Sequence, residues 1–99
     1  MSKIKAKLIS ATDVFLHVQN IRYEHRIGRI GLINTDEIKV GLPLFFRYLY
    51  DTDGTPYFYS EEVYKYLQTS AIENIVESEQ YLSITTRHTQ LEFEILERI

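Results

Sequence analysis

Three histidines, at positions 17, 25 and 88, are the side chains of this chain best suited to proton transfer near neutral pH or to nitrogen ligation of a metal. Their spacing favours neither. A helical zinc site needs two histidines one turn apart with a carboxylate alongside, and no such pair occurs. His17 falls beside Gln19 in a stretch whose polar face should meet solvent. His25 sits within Arg22-Tyr23-Glu24-His25-Arg26, and His88 is at a turn. There is no cysteine, which removes thiolate nucleophiles, disulfides and cysteine-based metal sites together. No Gly-x-Ser-x-Gly elbow is present, and Gly28 and Gly31 are flanked by Arg29, Ile30 and Leu32 rather than placed in a phosphate-cradling loop. The inventory points away from an enzyme, a metal and a cofactor.

One spacing imitates a calcium loop. Asp51, Asp53, Thr55 and Glu62 occupy relative positions 1, 3, 5 and 12, but Gly54 stands at position 4 instead of 6 and Pro56 stiffens the place where the glycine belongs. A turn explains Asp51-Thr52-Asp53-Gly54 more simply, since aspartate caps turns and glycine takes positive φ.

Aromatic chemistry is the stronger signal. Nine of the thirteen Phe and Tyr residues lie between Phe45 and Tyr66, on either side of that turn. On an outgoing strand Phe46, Tyr48 and Tyr50 share one side, and Phe45, Arg47 and Leu49 share the other. On the return, Tyr57 and Tyr59 oppose Phe58. Neither side is plainly polar, so the segment is read as a tyrosine-rich hairpin. Phe45, Leu49 and Phe58 are assigned to the core, and Tyr48, Tyr50, Tyr57 and Tyr59 with Arg47 to a protein partner or a second copy of the chain. The alternative is stacking of single-stranded nucleic acid on Tyr48 and Tyr57 beside Arg22, Arg26 and Arg29. Charge works against that alternative. The net charge is −3, and residues 55–99 carry eight Glu against Lys65, Arg87 and Arg98.

The elements that must position these residues are mostly strands. Ile4, Ala6 and Leu8 alternate with lysines, and Val14, Leu16 and Val18 alternate with polar residues. Tyr23 to Ile33 reads as extended, with Gly28 and Gly31 marking a bulge or bend. Ile38, Val40, Leu42 and Leu44 alternate around Pro43, which suits an edge strand or an irregular start. Ser60-Glu61-Glu62 has the makings of a helix N-terminus, giving one short helix over about 61–67. Residues 71–76 are ambiguous, and their Ile and Val favour a strand. Leu82, Ile84 and Thr86 face Thr89, Leu91, Phe93 and Ile95 in the cleanest strand pair, around an Arg87-His88 turn that lacks the usual Asn-Gly chemistry and should be longer or strained.

At 99 residues, residues 1–99 form a single domain. Its fold class is mainly β with one short helix, an antiparallel sheet closed or partly closed into a small barrel or roll. The order of elements resembles SH3-like and OB-like barrels, folds that host many functions. The basic start carries no apolar leader and no apolar run long enough to span a membrane, so the expected location is cytoplasmic. Usage rich in Ile, Tyr and Glu suits a bacterial or phage accessory protein. The function expected from these readings is binding, with a homodimer among the arrangements it allows.

Overall fold

Alternating apolar residues in six segments need a common interior, and a closed sheet supplies it. The computed structural model describes residues 2–57 and 65–99. Its strands are β1 (Lys3–Asp13), β2 (Ile30–Asn34), β3 (Pro43–Tyr50), β4 (Tyr66–Glu77), β5 (Tyr81–Thr86) and β6 (Thr89–Arg98). Each pairs antiparallel with the next, and β6 returns to β1, so the six close into an up-and-down barrel with no free edge. The mainly-β, closed-barrel expectation holds.

The interior is filled by every second residue: Ile4, Ala6 and Leu8 from β1, Leu44, Phe46 and Tyr48 from β3, and Leu91 and Phe93 from β6, all buried. Phe46 is central, with its ring centroid 5.0 Å from that of Phe93 and edge-on to Tyr48 at 5.5 Å. So large a side chain needs small neighbours in the wall. Ala6 and Gly31 are opposite each other across β1 and β2, and a Cβ on Gly31 would lie 2.9 Å from Phe46 Cε1. The β2–β3 register shifts at Ile30/Gly31, which is the bulge signalled by the glycines. The β5–β6 pair has Leu82 opposite Phe93 and Ile84 opposite Leu91, as expected.

Several expectations are corrected. Val14, Leu16 and Val18 do not form a strand: β1 ends at Asp13 and the chain turns outward, because Val14-Phe15-Leu16 breaks the alternation. Residues 21–26 form a 3₁₀ turn rather than extended chain, capped by the Asn20 side chain, which accepts from the Arg22 N–H. Residues 38–42 are irregular, and β3 begins at Pro43, where a missing N–H is least costly. Tyr66 and Leu67 belong to β4 and Lys65 is irregular, not helical; residues 61–64 of the helix expected over 61–67 lie outside the described residues. Residues 71–76 are strand. Only the Arg87-His88 pair separates β5 from β6, and the Thr86 hydroxyl donates to the Thr89 carbonyl at 3.2 Å to close the turn.

The faces of β3 are also the reverse of those expected. Phe46 and Tyr48 point into the barrel, while Phe45 is exposed and Leu49 half-buried, so Phe45 and Leu49 are not core residues. Register decides this: Phe46 lies opposite buried Leu67 of β4. Phe58 lies outside the described residues.

An up-and-down path sends alternate connections to opposite ends. The β1–β2 connection, the turn after β3 and the β5–β6 turn share one end, which therefore carries His17, His25, His88, Arg22, Arg26 and Arg29. The chemistry-bearing residues are gathered there by topology.

Candidate functional site

At that end Phe15, Leu16 and Ile21, the three most exposed large apolar side chains among the described residues, stand on one loop with Val18. Phe15, Leu16, Val18 and Ile21 are 70%, 71%, 56% and 78% exposed. The loop is well tied. Asp13 N–H donates to the Val18 carbonyl at 2.8 Å, His17 N–H donates to the Asp13 carbonyl at 2.9 Å, and Asn20 N–H donates to the Ala11 carbonyl at 2.8 Å. The Asp13 carboxylate accepts from both the Phe15 and Leu16 N–H groups at 2.9 Å. Those two bonds, Leu16 first, hold the Asp13 carboxyl below its ordinary pKa, with His88 and His17 adding to the effect. His17 adopts a left-handed φ of 55°, which makes the reversal tight. With its backbone bonded internally, the loop has nowhere to bury these side chains and presents them outward. Phe15 rests against His88, ring centroids 6.1 Å apart.

Beside this tip the barrel end opens into a polar cavity of about 530 Å³, lined in part by Asp13, Asn20, Tyr23, Gln68, Thr86 and His88. Its buried threonines are satisfied. Thr89 Oγ1 accepts from Asn20 Nδ2 at 2.9 Å, and Thr69 Oγ1 accepts from the Leu44 N–H at 2.9 Å. Burial raises the Tyr23 pKa above its usual value, against the opposing influence of Arg26. The cavity shares Gln68 with a second, shallower one of about 480 Å³ lined by Arg26, Arg29, Tyr48, Lys65, Tyr66, Leu67 and Gln68.

The tyrosines expected to meet a partner are dispersed by the fold. Tyr48 is only 4% exposed; its ring is stacked on that of Tyr57 at 5.5 Å, with the Arg29 guanidinium carbon 4.7 Å from its centroid. Tyr48 belongs to the inner face and not to the contact surface expected of it: with its ring covered, it offers no platform to a base or a partner. Tyr50 is partly exposed, with the Lys5 ammonium 5.6 Å from its centroid, and Tyr57 is half-buried. Tyr59 lies outside the described residues. Arg47, half-buried on the outer face of β3, lines a separate depression with Phe45 and Tyr66, whose rings are 5.7 Å apart.

Arg22, Arg26 and Arg29 do share one end with Tyr48 and Tyr57, although Arg22 lines the polar cavity and the other two the shallow one. Arg29 Nε donates to Asp51 Oδ1 at 3.2 Å. Burial opposes the Arg29 charge, yet Tyr48 and Asp51 outweigh it and raise its pKa. The calcium-like aspartates are committed to the turn. Asp51 Oδ1 accepts from the Thr52 N–H at 2.7 Å, Asp53 Oδ1 accepts from the Thr55 N–H at 2.9 Å, and Gly54 takes a φ of 85°. Among the described residues no group of three or more His, Asp or Glu side chains is placed to hold a metal ion. Among them, too, no helix is long and apolar enough to cross a membrane.

No protein-family model, curated protein or solved structure matches the chain. The site must therefore be read from its own geometry. The apolar tip escaped sequence reading because Val14, Leu16 and Val18 imitate a half-buried strand. The signal that distinguishes them is Phe15, an aromatic on the face that alternation reserves for polar residues.

Proposed function

We propose that this protein is a non-enzymatic binding module that docks on a different protein through the β1–β2 tip. The observation that carries the reading is the display of Phe15, Leu16, Val18 and Ile21, each more than half exposed, on a loop whose backbone is already hydrogen-bonded. Preorganised apolar anchors lose little entropy on association and are the kind of group that dominates interface energy. The surroundings suit a protein surface better than lipid. The polar cavity beside the tip, with Asn20, Gln68 and His88 on its wall, offers hydrogen-bonding groups that an acyl chain would leave unpaired. Arg22 and Arg87 flank the tip while the Asp13 carboxylate is turned into the loop, so the complementary surface is an apolar pocket with an acidic rim.

This keeps the class of function expected from the sequence and moves its location from the tyrosine-rich segment to the tip. The test is a Leu16→Ser/Ile21→Ser variant. Both positions are exposed, so its thermal midpoint should match that of the parent, while affinity for the purified partner should fall by roughly tenfold or more. Unchanged affinity would sink the reading. So would a dimer in sizing experiments that dissociates in the variant, which assigns the tip to a second copy, or variant-sensitive sedimentation with liposomes, which assigns it to a membrane.

A further inference from the structure

The barrel has no edge strand, yet β4 has its two neighbours over different halves of its length. Tyr66 to Ala71 runs along β3, and only from Ile72 onward does β5 lie on the other side, with Ile72 opposite Thr86. β5 ends at Thr86 and turns into β6, so among the described residues no strand covers the second side of Gln68 to Ala71. That side presents backbone. Lys65 offers its carbonyl to the Tyr48 N–H and Leu67 lies opposite Phe46, so antiparallel alternation points the N–H and carbonyl of Gln68 away from β3. The polar cavity of about 530 Å³ lies there, with Gln68, Thr69 and Ser70 on its lining. Arg22 and Tyr23 of the 3₁₀ turn border the same cavity, as do the buried Thr86 and Thr89.

We propose that this bay takes an extended, acidic peptide segment of a partner protein, which adds to Gln68–Ala71 as a short strand in the place that β5 leaves open. An uncovered strand side is a template for main-chain pairing, and strand addition draws affinity from backbone bonds and specificity from alternate side chains. Gln68 to Ala71 spans about 10 Å, room for about three or four residues of the incoming chain. Side chains pointing inward meet the hydroxyl-bearing wall of Thr69, Thr86 and Thr89, which suits small polar residues. The charge of the segment follows from Arg22. Among the described residues its guanidinium is in no ion pair, while the Asp13 carboxylate on the same lining is already bonded to the Phe15 and Leu16 N–H groups. An acidic side chain on the segment therefore pairs with Arg22. The 3₁₀ turn bordering the bay leaves a place for one chain and obstructs the sheet of a second copy. The bay shares no residue with the anchors Leu16 and Ile21, so the proposal goes beyond the docking reading and either can fail alone.

The probe is the capped peptide acetyl-Thr-Glu-Thr-Glu-Thr-amide, titrated into the isotope-labelled protein. In the free protein the Gln68 amide should exchange with solvent faster than those of Phe46 and Leu67, which pair across β3 and β4. The peptide should then give saturable shifts at Gln68 to Ala71 and slow the Gln68 exchange. The same peptide with its backbone nitrogens methylated keeps both carboxylates and should not bind. Gln68→Pro removes the outward N–H and should abolish binding; if that variant unfolds, the methylated peptide decides alone. Arg22→Ala should weaken binding roughly fivefold. Lys39→Ala, on the connection at the opposite end of the barrel, should change nothing. The titration contains no partner protein, so it reads the bay alone, whereas the Leu16→Ser/Ile21→Ser test reads the tip alone. The proposal is overturned by a Gln68 amide protected in the free protein, by the absence of shifts at Gln68 to Ala71, by equal affinity for the methylated and unmethylated peptides, or by wild-type affinity in Arg22→Ala. A parent dimer in sizing experiments that Gln68→Pro dissociates would also overturn it, and would assign the open side to a second copy.

Discussion

The Cβ that Gly31 lacks would run into the carbonyl oxygen of Arg47 on the neighbouring strand. This contact is backbone against side chain, so no rotamer change relieves it. Gly31→Ala must push β2 and β3 apart at the bulge, next to the Phe46 ring. The expected cost is roughly 2–4 kcal/mol, or a fall of about 10–25 °C in Tm for a domain of this size, measured by thermal denaturation. A variant within two degrees of the parent would show that the wall is not closed as described.

Thr69 presents a different dependence. Its hydroxyl accepts from the buried Leu44 N–H at 2.9 Å and donates to the Ser70 carbonyl at 2.7 Å. Thr69→Val keeps the shape and leaves the Leu44 N–H without an acceptor, which should cost about 1–3 kcal/mol. Thr69→Ser restores the acceptor and should recover most of that loss. Equal destabilisation by the two substitutions, read in urea unfolding, would assign the effect to packing.

For Tyr48 the sign is opposite. Because its hydroxyl is buried with no acceptor in place for its proton, Tyr48→Phe should leave the protein as stable as the parent or more stable by about 1 kcal/mol. A clear drop in Tm would mean that the hydroxyl is satisfied in the folded protein.

Asp13 links acid to the shape of the tip. The N–H groups of Leu16 and Phe15 bond its charged form and depress its folded-state pKa below the ordinary 3.8. A depressed carboxylate contributes stability that is complete above its unfolded value and is lost as pH falls through the lower folded value. The tip should therefore be unchanged from neutrality down to pH 4 and loosen below it, seen as movement of the Phe15 and Leu16 amide resonances. Asp13→Asn keeps an acceptor oxygen and should hold those resonances near their native positions at neutral pH. Asp13→Ala should not. Identical spectra for the two variants would show that the carboxylate does not shape the loop.

Much of the barrel was legible along the chain. Period-two alternation located Ile4-Ala6-Leu8 and the Leu82–Phe93 pair, because each of those strands buries one face and wets the other. Gly31 announced a bulge, at a place where a Cβ would strike the neighbouring strand, and Asp51 to Gly54 announced a turn, because Gly54 takes a positive φ that few residue types adopt. The assignment failed where alternation carried no contrast. In Phe45 to Tyr50 both faces are apolar or amphipathic, so composition could not say which one pointed inward, and a choice made one residue out of phase sent Tyr48 outward.

The amino-acid sequence by itself determined that this is a small antiparallel β domain with one apolar face per strand, without cysteine chemistry, and with its aromatics concentrated around one turn. Only the tertiary structure decided which residues meet. Closure of β6 onto β1 gathered the loops bearing Asp13, Arg26, Arg29 and His88 at one end, from positions distant in the chain. The register of β3 against β4 turned Phe46 and Tyr48 inward, and the internal hydrogen bonds of the β1–β2 loop turned Phe15, Leu16, Val18 and Ile21 out. Local pattern specifies a strand and its two faces; long-range pairing selects the inner face and sets which loops become neighbours.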